Sequence, residues 1–81
     1  MSQKIKQDLC IGSNIRKIRK SNKMTQEQIV AKLQLMDIDI SRSIYSQIEC
    51  GKYNIKVSQL IALKQIFNVD YKDFFDGLSI K

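Results

Sequence analysis

Apolar residues recur at helical spacing along most of this chain, and no proline interrupts them. Ile11, Ile15 and Ile18 stand at positions i, i+4 and i+7, which would place them in one stripe along a helix that ends near Asn22. Proline is the residue that most strongly breaks a helix, and the alternating pattern of strands does not occur. The sequence therefore predicts an all-α fold.

The length of 81 residues fits one small domain and leaves no room for a second. Residues 1–8 are polar and lack periodicity, so we expect a flexible basic N-terminal arm there. Residues 9–78 would form the folded domain and residues 79–81 a C-terminal tail.

Local capping signals divide this domain into further helices. Thr25 and Gln28 have the spacing of a capping box, which predicts that a second helix begins at Thr25 and runs to about Met36. Ser41 can cap a third helix, and Gly51 suits the left-handed position just past its end.

Two more helices follow in the same pattern. Apolar residues at helical spacing predict a fourth helix from about Val57 to Phe67. Asp70 and Asp73 resemble a second capping box, which predicts a short fifth helix ending near Gly77. The expected architecture is a compact five-helix domain.

The formal net charge is +6, and the excess is concentrated near the start of the chain. Residues 1–23 hold seven Lys or Arg residues against a single acidic one, Asp8. This concentration favours a polyanionic partner, although charge that only keeps the protein soluble is the alternative. No apolar stretch is long enough for a signal sequence or a membrane span, so we expect a cytoplasmic protein without a membrane partner.

The sequence lacks the residue patterns that catalytic sites usually need. It has no histidine, no glycine-rich phosphate loop and no Ser or Cys beside a general base, so we expect no enzyme activity, no catalytic residues and no cofactor. Cys10 and Cys50 lack the spacing of a metal site, and we expect no metal. Reduced thiols are the simplest interpretation, and a redox switch between the two stays open.

The third helix offers the best candidate surface. If Ile44 and Ile48 point inward together, Arg42 and Ser46 lie one turn apart on the outward face. An arginine there could bond guanine O6 and N7 in a major groove. The other polar positions that this helix could bring near DNA are Ser41, Ser43, Tyr45 and Gln47.

The runs TQEQIVAKL and SRSIYSQIECGKYN resemble the helix-turn-helix of the phage repressor family that includes the lambda and 434 repressors and Cro. The similarity covers roughly residues 11–76, with NVDYKDFF matching the closing segment of the family. It implies a lambda-repressor-like fold in which the second and third helices form the helix-turn-helix.

The resemblance also implies roles for individual residues. We expect DNA base contacts from Ser41, Arg42, Ser46 and Tyr45. We expect phosphate contacts from Thr25, Gln26, Ser43, Gln47, Lys52, Tyr53 and Asn54. Gln26 is also expected to brace the third helix. The family pairs an Arg of the first helix with the Glu that ends the third, which here means a structural ion pair between Arg19 and Glu49. The alternative is that Arg19 adds to an exposed basic face with Arg16, Lys17 and Lys20.

Two departures from the family pattern bear on how the helices dock. The segment from Leu33 to Ser41 is about five residues longer than the short turn usual in this motif, so the third helix could sit at a changed angle. Val30 stands where the family usually has Ala, which predicts a wider spacing between the helices.

These features together predict a sequence-specific double-stranded DNA-binding transcriptional regulator, expected to be a repressor. It would read the major groove of operator DNA with helix 3, residues 41–50, as a homodimer. Phe75, Leu78 and Ile80 could form the dimer contact or instead pack on their own core. The alternative function is a protein-interaction module, such as an antitoxin or a regulator-partner domain, which would favour larger apolar side chains on the third helix.

Overall fold

The computed structural model describes residues 11–78. The predicted arm at residues 1–8, the tail at residues 79–81, Cys10 and Ile80 therefore lie outside the described residues. The elements in chain order are α1 (Gly12–Ser21), α2 (Gln26–Leu35), α3 (Arg42–Glu49), α4 (Val57–Phe67) and a 3₁₀ helix (Tyr71–Phe75). No strand occurs in residues 11–78, and none of their helices is long and apolar enough to cross a membrane.

The capping predictions are confirmed at the level of single hydrogen bonds. The hydroxyl of Thr25 accepts from the backbone N–H of Gln28 at 3.1 Å, and the Gln28 side chain accepts from the backbone N–H of Thr25 at 2.8 Å. The hydroxyl of Ser41 accepts from the backbone N–H of Ile44 at 3.1 Å. Gly51 takes the predicted left-handed conformation, with φ of 78°. These bonds satisfy backbone groups that a helix end otherwise leaves unpaired.

The short fifth helix predicted after Asp70 is a 3₁₀ helix and not a fifth α-helix. The segment after Asp70 forms a 3₁₀ helix of only five residues, and Gly77 follows it with φ of 80°. The side-chain nitrogen of Asn14 in α1 donates to the carbonyl oxygens of Phe74 and Asp76, at 2.9 Å each. A side chain of α1 therefore takes up carbonyls that a continuing α-helix would have used internally.

The core lies between the four α-helices and the 3₁₀ helix. Its largest fully buried side chains are Ile15, Ile29, Leu33, Tyr45, Leu63 and Phe74. Burying an apolar side chain of this size contributes roughly 1.5–3 kcal/mol to folding. The buried residues come from every element, and α3 packs against the rest of the domain through Tyr45, Ile48 and Glu49.

The start of α1 lies directly against the end of α3. A Cβ atom added at Gly12 would overlap the carbonyl oxygen of Ile48 and come within 2.8 Å of the carbonyl oxygen of Glu49. Only glycine allows this approach of the two backbones.

The long connection between α2 and α3 is folded onto the core. The backbone N–H of Ile38 donates to the carbonyl oxygen of Leu33 at 3.0 Å, and Asp37 adopts a left-handed φ of 64°. The Gln34 side chain donates to the carbonyl oxygen of Ile40 at 3.2 Å, and Ile40 itself is buried. The extra residues thus form an ordered turn. Val30 is also buried, and a changed docking angle for α3 stays a prediction.

Candidate nucleic-acid interface

The outer face of α3 carries most of the predicted contact residues. Arg42, Ser43, Ser46 and Gln47 together line one shallow groove on the surface. Arg42 is well exposed, with 60% of its side-chain surface accessible, and Ser46 is half-buried beside it. Ser41 is exposed at the helix start, where its hydroxyl already caps the helix. The face is therefore polar, with three serines and one glutamine around a single arginine.

Tyr45 requires a correction. Its side chain has no accessible surface, so it cannot reach a base as predicted. Ile44 and Ile48 were predicted to point inward together, but only Ile48 is buried and Ile44 is half-buried. The other buried residues of α3 are Tyr45 and Glu49. The spacing i, i+3, i+4 of the three buried residues is a helical stripe, but it includes a glutamate, which hydrophobicity alone does not assign to an interior.

Glu49 is buried because Arg19 pairs with it. Arg19 Nε lies 2.7 Å from Glu49 Oε2, and Arg19 Nη2 lies 3.1 Å from Glu49 Oε1. The third guanidinium nitrogen, Nη1, donates to the carbonyl oxygen of Met24 at 2.9 Å. Since Arg19 is buried, the alternative that it belongs to an exposed basic face does not hold. Such two-pronged pairing fixes geometry as well as charge.

Gln26 joins this pair from the first residue of α2. Its side-chain nitrogen donates to Glu49 Oε1 at 3.0 Å, so the carboxylate is shared between α1 and α2. We call Arg19, Gln26 and Glu49 the buried network. It connects three helices at the carboxyl end of α3 and thereby orients that helix. The amide nitrogen of Gln26, predicted to contact a phosphate, is engaged in this network.

The protonation of the buried network follows from these contacts. Burial alone would raise the pKa of the Glu49 carboxyl, but the hydrogen bonds that it accepts from Arg19 and Gln26 outweigh burial. The nearby Tyr45 hydroxyl acts in the same direction, so this pKa is lowered. The hydrogen bond to Glu49 raises the pKa of Arg19. Burial, and next the adjacent Glu49 carboxylate, raise the pKa of the Tyr45 hydroxyl. That hydroxyl is buried without a hydrogen bond of ordinary geometry.

The remaining predicted phosphate contacts lie at two places on the surface. Lys52, Tyr53 and Asn54 are exposed in the loop that follows α3, and the backbone N–H of Lys52 donates to the carbonyl oxygen of Gln47 at 2.9 Å. Thr25 is exposed at the start of α2, with its hydroxyl in the capping box. All of these side chains border α2 or α3 in the chain.

A second ion pair was not foreseen from the sequence. Arg42 Nε lies 3.5 Å from Glu27 Oε2, and both side chains are mostly exposed, at 60% and 67%. The pair joins the first turn of α3 to the first turn of α2. The opposite charges of Glu27 and Arg42 predict an ion pair only when it is known that the first turns of α2 and α3 pack together.

The arrangement defines a class of protein. Two consecutive helices, α2 and α3, follow a basic first helix in the chain and pack against each other. The outer face of α3 is polar. This is the build of a helix-turn-helix DNA-binding domain. The sequence matches the helix-turn-helix domain family over residues 12–80, and the chain belongs to that family. A search of curated proteins found no match.

Proposed function

We propose that this protein is a sequence-specific DNA-binding transcriptional regulator that acts as a repressor and reads the major groove with α3. One observation carries the proposal: Arg42, Ser43, Ser46 and Gln47 share one exposed groove on a helix whose opposite side is fixed in the core. The resemblance to the lambda and 434 repressors and Cro supports the same role. So does membership of the helix-turn-helix domain family.

Roles on DNA follow from the chemistry of each side chain. Arg42 would read guanine through a two-pronged hydrogen bond, and Ser41 and Ser46 would contact neighbouring base edges. Ser43 and Gln47 on the flanks of α3 would bond phosphates. Because phosphate contacts set register and orientation, they add affinity without reading sequence.

The start of α2 and the loop after α3 supply the other phosphate contacts. Thr25 and the backbone N–H groups of the first turn of α2 form a positive helix end that suits a phosphate. Lys52, Tyr53 and Asn54 would hold the sugar-phosphate chain beyond α3. Gln26 would act mainly by bracing α3, because its amide nitrogen already donates to Glu49.

Binding as a homodimer would place two copies of α3 in successive major grooves, about 34 Å apart. Phe75, the last residue of the 3₁₀ helix, is 46% exposed and is a candidate for the contact between copies, whereas Leu78 is half-buried. Such a regulator would work in the cytoplasm without a cofactor.

A protein-interaction module is the second candidate function. One observation favours it: Leu35 is 86% exposed, and together with Met36 and Ile66 it lines a groove between α2 and α4 whose other lining residues are Lys32 and Gln65. Exposed apolar surface of this kind is typical of protein contacts. This groove shares no residue with the polar face of α3. Substituting Arg42 should therefore weaken DNA binding but leave binding of a protein in this groove unchanged.

The test is a selection of bound duplexes from random DNA, followed by titration of the winning site against salt. A palindromic site should emerge, and Arg42→Ala should weaken binding by about 1–3 kcal/mol and relax one base position. Lys72→Ala, an exposed lysine of the 3₁₀ helix, is the control and should leave the base preference unchanged. If no sequence is enriched and Arg42→Ala changes nothing, α3 is not the reading helix and a protein partner becomes the better hypothesis.

A further inference from the structure

The ion pair between Glu27 and Arg42 places a carboxylate next to the side chain that the proposed function assigns to base reading. It is one of two ion pairs in residues 11–78, and the other is the buried Arg19–Glu49 pair. An exposed pair contributes little to folding, because both charges are well solvated and both side chains lose freedom when held together. Stability therefore does not explain this arrangement.

The atoms involved suggest a different role. Glu27 approaches Arg42 on the Nε side of the guanidinium, at 3.5 Å. A guanidinium has five N–H donors in a rigid fork, and a guanine needs only two of them. A carboxylate at Nε therefore leaves the two terminal nitrogens for O6 and N7 of a base.

The carboxylate also affects what else Arg42 can bind. An arginine side chain is long and flexible, so fixing it from one side lowers the entropy that is lost when it meets a base. A negative charge beside it repels phosphate oxygens, which are the competing ligands on any DNA sequence. Both effects favour the specific contact over the non-specific one.

We propose that Glu27 is a positioning residue that makes Arg42 discriminate among bases, through the contact between the first turns of α2 and α3. The inference rests on the proposed function, since it requires Arg42 to read a base. Glu27 thus sets specificity from outside the reading helix.

The experiment measures dissociation constants for two duplexes, the selected site and the same site altered at the base pair that Arg42→Ala relaxes. The ratio of the two constants reports discrimination, and a purely electrostatic change in affinity leaves that ratio unchanged. The variants are Glu27→Gln, Arg42→Ala and the double variant. Asp39→Asn is the matched control, because it removes an exposed carboxylate from the connection before α3 without touching Arg42.

Glu27→Gln should lower the discrimination ratio about 3- to 10-fold, as the arginine side chain regains rotamer freedom, and should tighten binding to the altered duplex. Asp39→Asn should shift both constants together. The double variant should show the same ratio as Arg42→Ala alone. Thermal melting of each variant should match wild type, which separates the effect from unfolding.

Two results would overturn the inference, and they have different meanings. If Arg42→Ala abolishes discrimination while Glu27→Gln leaves the ratio unchanged, Glu27 has no positioning role and the proposed function stands. If Arg42→Ala itself relaxes no base position, base reading by Arg42 and this inference fail together.

Discussion

The two ion pairs found within residues 11–78 involve the same two kinds of side chain in opposite surroundings. The Arg19 and Glu49 side chains are only 11% and 2% exposed. Two hydrogen bonds join them to each other, and a third joins Gln26 to Glu49. The Arg42–Glu27 side chains are 60% and 67% exposed and approach only to 3.5 Å. The buried pair orients α3 within the fold, whereas the exposed pair leaves Arg42 available to a partner.

The difference shows how one short helix can serve two purposes. The side of α3 that carries Tyr45, Ile48 and Glu49 is fixed by packing and by the buried network. The side that carries Arg42 and Ser46 has few constraints from the fold. Substitutions on the first side should therefore change stability, and substitutions on the second should change binding. Four predictions test this division.

The largest effect is expected from breaking the buried pair. Glu49→Ala leaves the Arg19 guanidinium buried without its partner, which should lower the free energy of unfolding by about 3–5 kcal/mol. Urea denaturation followed by circular dichroism measures the loss. The matched control is Glu27→Ala in the exposed pair, which should cost less than about 1 kcal/mol. Equal losses from the two substitutions would contradict the division.

Gly12→Ala should be the next most damaging change. Alanine usually stabilises a helix relative to glycine, but here the added Cβ would overlap the Ile48 carbonyl oxygen, so we expect a net loss of about 1–3 kcal/mol. Ser13→Ala, at the next and exposed position of α1, serves as the control and should have little effect. A Gly12→Ala variant as stable as wild type would show that α1 and α3 approach less closely.

Acid should weaken the buried network. The pKa of Glu49 is lowered by the fold, so its contribution to stability is fully present above the ordinary pKa of a glutamate, about 4.3, and is lost as the pH falls through the folded-state pKa. Urea midpoints measured from pH 6 down to pH 3 should fall for wild type. Glu49→Gln should show a flatter dependence over the same range, and parallel curves would contradict the assignment.

Tyr45→Phe should have the smallest effect. The Tyr45 hydroxyl is buried without a hydrogen bond of ordinary geometry, so removing it should change the free energy of unfolding by less than about 1 kcal/mol, in either direction. DNA affinity and base preference should stay as in wild type because the side chain does not reach the surface. A base position that relaxes in this variant would restore the original prediction of a base contact.

Local signals explain which parts of the fold could be predicted. The Thr25–Gln28 capping box and the helix from Val57 to Phe67 were predicted where they occur, because caps and periodicity depend on residues three or four apart. The same logic predicted a short helix after Asp70 but not its type. Its capping box is present, but the helix that follows is a 3₁₀ helix tied to Asn14, some 60 residues earlier in the chain.

The candidate site was less accessible to sequence reasoning. The outward direction of Arg42 and Ser46 followed from helical geometry, but Tyr45 was misplaced because its inward orientation depends on the surface that the other helices offer. Gln26 was predicted in part. The resemblance implied that it would brace the third helix and bond a phosphate, but its bond to Glu49 arises only when α2 and α3 are packed.

The sequence by itself determined that the described residues form an all-helical domain, where the four α-helices of that domain lie, and which short polar helix could face DNA. Those properties depend on neighbours within one or two turns of the chain. Only the tertiary structure decided that Tyr45 faces inward, that Glu49 is shared by Arg19 and Gln26, and that Glu27 meets Arg42. The hydrogen bonds to Glu49 join residues 30 and 23 positions apart, and contacts at such separations exist only after the helices have packed.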